Sequence, residues 1–284
     1  MKFKMLDWPV GLSTGCFYLT SIFECLEPIR AAGFNLIEVC SFPAHLDYHD
    51  QELVKRAATA IHNLGLEPYS FHAPFADHID LTSLDPKQRG AAVDEILRAA
   101  ESAAILGVRN FVIHPGPEKD LRPDQNRLER MKNAAEALNH VAERCETLEI
   151  NLVFENMLPH LSFGHVSDLL WVLGAMDATT VTVCLDTGHA YLSSEIGTVI
   201  HKLSGHLSMI HASDNDGRFD DHKHPGAGNI DWKALLAQVA ASDFHGAFIL
   251  EIAGGKDADL VLEQAQAGRT YLRDIAKQVA GEVN

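Results

Sequence analysis

Ile105-Leu-Gly-Val-Arg-Asn-Phe-Val-Ile-His114 holds the unit from which the whole chain is built. Upstream of it, Arg89–Leu106 places Val93, Ile96, Leu97, Ala100 and Ala104 at helical spacing, so the stretch opens on the last turn of an amphipathic helix. Gly107 then takes the helix C-cap position. Asn110–His114 is a short, β-rich apolar run closed by a metal-ligating side chain.

The same unit recurs on both sides. Ala31-Ala-Gly33 and Asn63-Leu-Gly65 end helices a few residues before further apolar runs. Eight strands are expected, over Val10–Ser13, Leu36–Val39, Glu67–His72, Asn110–His114, Asn151–Glu155, Val181–Asp186, Leu207–His211 and Phe248–Ile252. Between and after them the patterns predict helices over Ile22–Ala32, Gln51–Leu64, Arg89–Leu106, Gln125–Leu148, Val166–Ala175, Ile196–Leu203, Trp232–Ala241 and Ala258–Val279. Strict alternation signals βαβ units around a parallel sheet, and the count of eight favours an α/β (β/α)₈ TIM barrel over a doubly wound open sheet. A chain of 284 residues suits one such barrel, and no linker or composition break divides it, so residues 1–284 are expected to form a single domain.

The composition is that of an ordinary globular protein, 46% hydrophobic and 22% charged. Neither a long apolar span nor a signal-peptide pattern is present, which predicts a cytoplasmic protein without membrane association. Five scattered cysteines without CxxC spacing argue against a disulfide framework and a thiolate zinc site, and read as small buried apolar residues. A net charge of −16 opposes nucleic-acid binding, which rests on Lys and Arg neutralising phosphates.

In a barrel all strand C-termini open into one mouth, so ligands that close different strands converge there. Six of the expected strands end at or beside His72, His114, Glu155, Asp186, His211 and Glu251. Imidazoles with carboxylates and no thiolate suit zinc, manganese, iron or cobalt. His189 follows Asp186 closely, and Asp220-Asp-His222 lies in the loop after the seventh strand; beside six convergent ligands these join the set. His45 and His49 after strand two, and Arg218 upstream of Asp220, are candidate substrate contacts. Gly226-Ala-Gly228 lacks the strand-to-helix context of a dinucleotide site and reads as a turn.

Ser70-Phe-His-Ala-Pro74, Val112-Ile-His-Pro-Gly116, Phe154-Glu-Asn156, Leu185-Asp-Thr-Gly-His-Ala190, His211-Ala-Ser-Asp214, Asp220-Asp-His222 and Ile249-Leu-Glu251 occur in order along almost the whole chain. As an ordered set they resemble the superfamily joining endonuclease IV to the xylose isomerase-like sugar isomerases and epimerases. From the endonuclease side the resemblance implies three zinc ions: one on His72, His114 and Glu155, a second on Glu155, Asp186, His211 and Glu251, and a third on His189, Asp220 and His222. From the isomerase side it implies one ion on Glu155, Asp186, His211 and Glu251. All nine positions are filled, so the expectation is a hydrolase of phosphate esters with two to three divalent ions, zinc first, and a metal-bridging hydroxide as nucleophile. Its substrate would be a small or medium-sized phosphate ester, because the loops after strands two and three are acidic and offer DNA no cations. The alternative is a sugar or sugar-phosphate isomerase or epimerase with Glu155 and Glu251 as acid/base pair. A homo-oligomer is left open.

Overall fold

A computed structural model describes residues 7–122, 124–193, 196–255 and 257–282. Eight parallel strands close into a barrel in the order β1 (Val10–Ser13), β2 (Leu36–Cys40), β3 (Glu67–His72), β4 (Asn110–Ile113), β5 (Asn151–Glu155), β6 (Thr182–Asp186), β7 (Leu207–Ala212) and β8 (Ala247–Leu250). β8 returns to pair with β1, which removes any sheet edge. Around it run α1 (Ile22–Ala31), α2 (Gln51–Asn63), α3 (Pro86–Leu106), α4 (Arg127–Thr147), α5 (Val166–Ala175), α6 (Thr187–Leu192), α7 (Ile196–Leu203), α8 (Trp232–Ala241) and α9 (Ala258–Glu282). No described helix is long and apolar enough to cross a membrane.

The expected elements are present, with three informative differences. α3 starts at Pro86 because Asp85 caps it, accepting from Lys87 N at 2.9 Å, and proline costs no hydrogen bond in a first turn. β8 stops at Leu250, so Glu251 stands just past the strand. Asp186-Thr-Gly-His189 is the start of the short helix α6: Asp186 ends β6 and caps the helix, accepting from the backbone N of His189 at 2.6 Å.

Alternation along the strands splits the core. Inside the barrel Leu36, Val112, Val153, Cys184, Met209, Ala247 and Ile249 pack together. The opposite strand faces pack with the helices in a second, larger cluster. The inner plug floors the barrel, leaving polar strand ends only at the C-terminal mouth. The thiols stay free, and burial pushes those of Cys25, Cys40, Cys145 and Cys184 up to about 12, which leaves them protonated and unreactive.

Candidate metal centre

Glu155 closes β5 at 1% exposure and is the hub of the mouth. Its Oε2 lies 3.1 Å from His72 Nε2 and 3.3 Å from His114 Nε2; its Oε1 lies 3.3 Å from His211 Nδ1. Glu251 Oε2 approaches the same His211 Nδ1 at 3.3 Å. To one side Asp220 Oδ2 takes His222 Nε2 at 2.9 Å and His189 Nε2 at 3.3 Å.

Five imidazoles therefore converge, and each is tethered from behind. The Nδ1–H groups of His72, His189 and His222 donate to the backbone carbonyls of Ala73, Asn156 and Glu251, at 2.9, 2.8 and 3.1 Å. His114 Nδ1 donates to Glu118 Oε1 at 2.5 Å, and His211 Nε2 to Glu38 Oε2 at 3.0 Å. An imidazole that donates through one nitrogen offers a lone pair at the other, the arrangement found behind metal-ligating histidines.

The backbone supports the same geometry. Asn156 clamps Asp186, its side-chain amide donating to Asp186 O at 3.1 Å and its Oδ1 accepting from Asp186 N at 2.9 Å. A Cβ at position 188 would sit 2.5 Å from Ser213 Oγ, so any larger residue there would displace that hydroxyl. The loop from β7 to α8 is organised by fully buried Asp214, whose carboxylate accepts from the backbone N–H groups of Asn215, Gly226 and Ile230 and from Trp232 Nε1. His222 is held at a φ of +46°, a costly conformation for a residue with a side chain, and its carbonyl accepts from Ala253 N at 2.6 Å.

Electrostatics show what the cluster lacks. Burial works against charged imidazoles, yet Glu155 and Glu118 lift His114 to about 10, Asp186 and Asp220 lift His189 to about 9, and Asp220 and Glu251 lift His222 to about 10. Burial would also raise Glu155, but His211 and His114 hold it well below the usual carboxylate range. Asp186 is pushed up to about 6 by burial. So many carboxylates in a dry site require cations, and protons supply them where no ion is bound.

Buried polar atoms normally have partners, yet His114 Nε2, His211 Nδ1, Asp186 Oδ2 and Asp220 Oδ1 have no hydrogen bond. Their residues belong to or border three groups of donors whose ligating atoms lie within 4.8 Å of one another: His72 with Glu155 and His211; Glu155 with Asp186, His211 and Glu251; and His189 with Asp220 and His222. His114 meets the first group through Glu155. Nitrogen and carboxylate donors without thiolate fit a divalent ion.

The other expected contacts lie elsewhere or apart. His45 is buried, its Nδ1 donating to Thr20 O at 2.7 Å, and burial pushes its pKa down, so it ties two loops together as a neutral ring. His49 turns outward to Asp47 and to Glu95 on α3. Arg218 is exposed in the β7–α8 loop beside Phe219 and makes no salt bridge among the described residues. Phe75 is half exposed, its ring 5.2 Å from His72 and 5.1 Å from His114, a pocket aromatic at the lip.

Two residues of the site were not among those expected. Glu38 interrupts the apolar run Leu36-Ile-Glu-Val39, and an acid inside a strand buried on both faces is itself a signal. Glu118 follows His114 by four residues, a weaker clue because a loop separates them.

Residues 26–275 match the family model described as xylose isomerase-like TIM barrel. The chain belongs to that family. Among family relatives, an uncharacterised protein of Methanocaldococcus jannaschii is 25% identical over 281 residues, 97% of this chain and 93% of that one. A "Probable endonuclease 4" of Mycobacterium marinum is also 25% identical, over 86% of this chain and 90% of its own. Among solved structures, a D-tagatose 3-epimerase-like protein superposes with a TM-score of 0.84 at 23% identity, over 97% of this chain and all of that one. An L-ribulose 3-epimerase gives 0.82 at 19% identity, with 96% of each chain covered.

These findings correct the expectation of a phosphoester hydrolase. Solved structures that match over nearly the full barrel include a D-psicose 3-epimerase and a 3-keto-D-glucoside 4-epimerase, and a fructoselysine 3-epimerase is among the sequence relatives. The physical reason is that nine donors contain the four-donor set Glu155, Asp186, His211 and Glu251 within them. Counting ligands therefore does not select hydroxide attack on phosphorus over proton transfer at carbon.

Proposed function

We propose that the protein is a divalent-metal-dependent sugar or sugar-phosphate isomerase or epimerase. The observation that carries this reading is the group Glu155, Asp186, His211 and Glu251, in which two carboxylates stand 3.3 Å from the same nitrogen, His211 Nδ1. These four residues would hold the ion, which when bound polarises a carbonyl and stabilises the negative charge that develops there. Glu155, ionised at neutral pH, accepts a proton from the carbon beside the carbonyl through a carboxylate oxygen. Glu251, 20% exposed at the lip, delivers a proton on its side of the substrate. His189 and Arg218 contact hydroxyl or phosphate groups, and Phe75 covers an apolar face.

The donors His189, Asp220 and His222 give the mouth capacity for a further ion, and borderline imidazole–carboxylate ligation suits zinc, with manganese, iron or cobalt as alternatives. The test is to incubate the metal-loaded protein with ketoses and ketose phosphates in deuterated water. Deuterium should enter a substrate carbon, and its absence across the panel would overturn the reading.

A further inference from the structure

Glu38 sits on β2 one inward-facing position above Leu36, between the apolar plug and the metal-binding layer. Register places it beside Ser13 on β1 and Ser70 on β3. On the β3 side the pairing shifts from Ile37↔Pro68 to Glu38↔Ser70, leaving Tyr69 as the extra residue, and such a bulge re-aims side chains. The carboxylate is fully buried, with three donors: Ser70 Oγ at 2.8 Å, His211 Nε2 at 3.0 Å and Ser13 Oγ at 3.3 Å. No lysine or arginine pairs with it among the described residues.

A buried ion pair is weak evidence of a stabilising role, since apolar side chains of similar volume often replace such a pair at no cost. What Glu38 does is visible in the ring it holds. His72, His114, His189 and His222 are tethered through Nδ1 and present Nε2 to the centre; His211 alone of the five is tethered through Nε2 and presents Nδ1. His211 Nδ1 is also the point where Glu155 and Glu251 meet. Nδ1 stands closer to its own backbone than Nε2 does, so the inversion sets where the donor atom of His211 lies in the mouth.

We propose that Glu38 is a positioning residue: by holding the Nε2–H of His211, it fixes the tautomer and ring orientation that place Nδ1 on the divalent ion between Glu155 and Glu251. This inference rests on the reading of His211 as a metal ligand. Ser13 and Ser70 take part by holding the carboxylate on β2 toward the ring.

The experiment uses the full chain with zinc as the only added ligand. In the zinc-loaded, nitrogen-15-labelled protein, long-range correlation of the imidazole protons and nitrogens, with the His211 signal assigned by its loss in His211→Gln, should show Nδ1 bound to zinc and Nε2 protonated. Binding of His211 through Nε2 would overturn the proposal. Chelator competition should show Glu38→Gln weakening zinc about ten- to hundredfold, a loss greater than the drop in its zinc-free melting temperature accounts for. Ser70→Ala, which keeps the carboxylate and should fold even if Glu38→Gln does not, should show a smaller loss in the same direction. Affinity falling only in step with melting temperature would mark Glu38 as structural and defeat the proposal, as would unchanged affinity in both variants. Glu251→Gln separates the two levels: if it binds zinc as tightly as the parent, the metal-site reading fails, whereas its loss alongside an unaffected Glu38→Gln sinks only the role of Glu38.

Discussion

The mouth has a strand-borne half and a loop-borne half, and they are built by different physics. Glu155, Asp186 and His211 stand on strand ends with 1%, 0% and 0% exposure, so the parallel ladder fixes their backbone and the surrounding core fixes their side chains. Asp220 and His222 come from the β7–α8 loop, with side chains 20% and 28% exposed. Their placement depends on local devices: the four N–H groups gathered by Asp214, the bridge between Asp214 and Lys223, and the strained backbone of His222 anchored to Ala253. A strand end cannot shift without opening the barrel; a loop can be released by losing one side chain.

The largest effect is expected at the hub. Glu155→Gln keeps the shape of the hub but removes the charge that faces His72, His114 and His211. Deuterium exchange into substrate should fall at least about a thousandfold, with metal content dropping in elemental analysis; retained metal and activity would show that the strand-borne half is not the working centre.

Asp214→Ala should separate the halves. Leaving several buried N–H groups unpaired costs about 2–4 kcal/mol, concentrated in the loop. Denaturant unfolding should register that loss. Metal titration should show any ion on His189, Asp220 and His222 weakened well before the ion on Glu155, Asp186, His211 and Glu251, and equal weakening of both would contradict the division.

Protons compete with metal at three of the imidazoles. His114, His189 and His222 hold protons in the metal-free protein at pH 7, at pKa values of about 10, 9 and 10. An incoming ion must displace them, so apparent metal affinity should rise from pH 6 to pH 9 with proton release, measurable by calorimetry in buffers of different ionisation enthalpy. Because these values lie above the ordinary 6.5, their contribution to metal-free stability is complete below that pH and is lost as pH climbs toward 9–10. Urea midpoints of chelator-treated protein at pH 6.5 and 9.5 should differ in that direction.

The smallest effect belongs to His49→Ala. Its exposed pairs with Asp47 and Glu95 are worth less than about 1 kcal/mol, and KM for substrate should not change. A raised KM would place the β2–α2 loop in the substrate site after all.

Much of this site is legible in the chain because barrel strands end on one face: His72, His114, Glu155, Asp186, His211 and Glu251 could be read from where apolar runs stop. Asp220 and His222 could not, since a loop Asp-x-His has no periodicity to place it, and they joined the set only beside the six strand-end ligands and through the ordered motifs. The burial of His45 was not legible for the same reason, because nothing local distinguishes a ring that lines a pocket from one buried against Thr20. Reaction type was not legible either, as the larger donor set contains the smaller.

The eight strand–helix units, and the positions to within a residue or two at which each strand stops, are legible in the chain because hydrophobic period and glycine caps act over a few residues. Which nitrogen of each imidazole faces the centre, the place of Glu38 behind His211, and the hold of Asp214 on the loop bearing His222 follow from the closed fold and not from any local pattern. Those choices depend on registers and on a bulge set by closing β1 through β8, and bonds between residues as distant as Glu38 and His211 exist only once the barrel is closed.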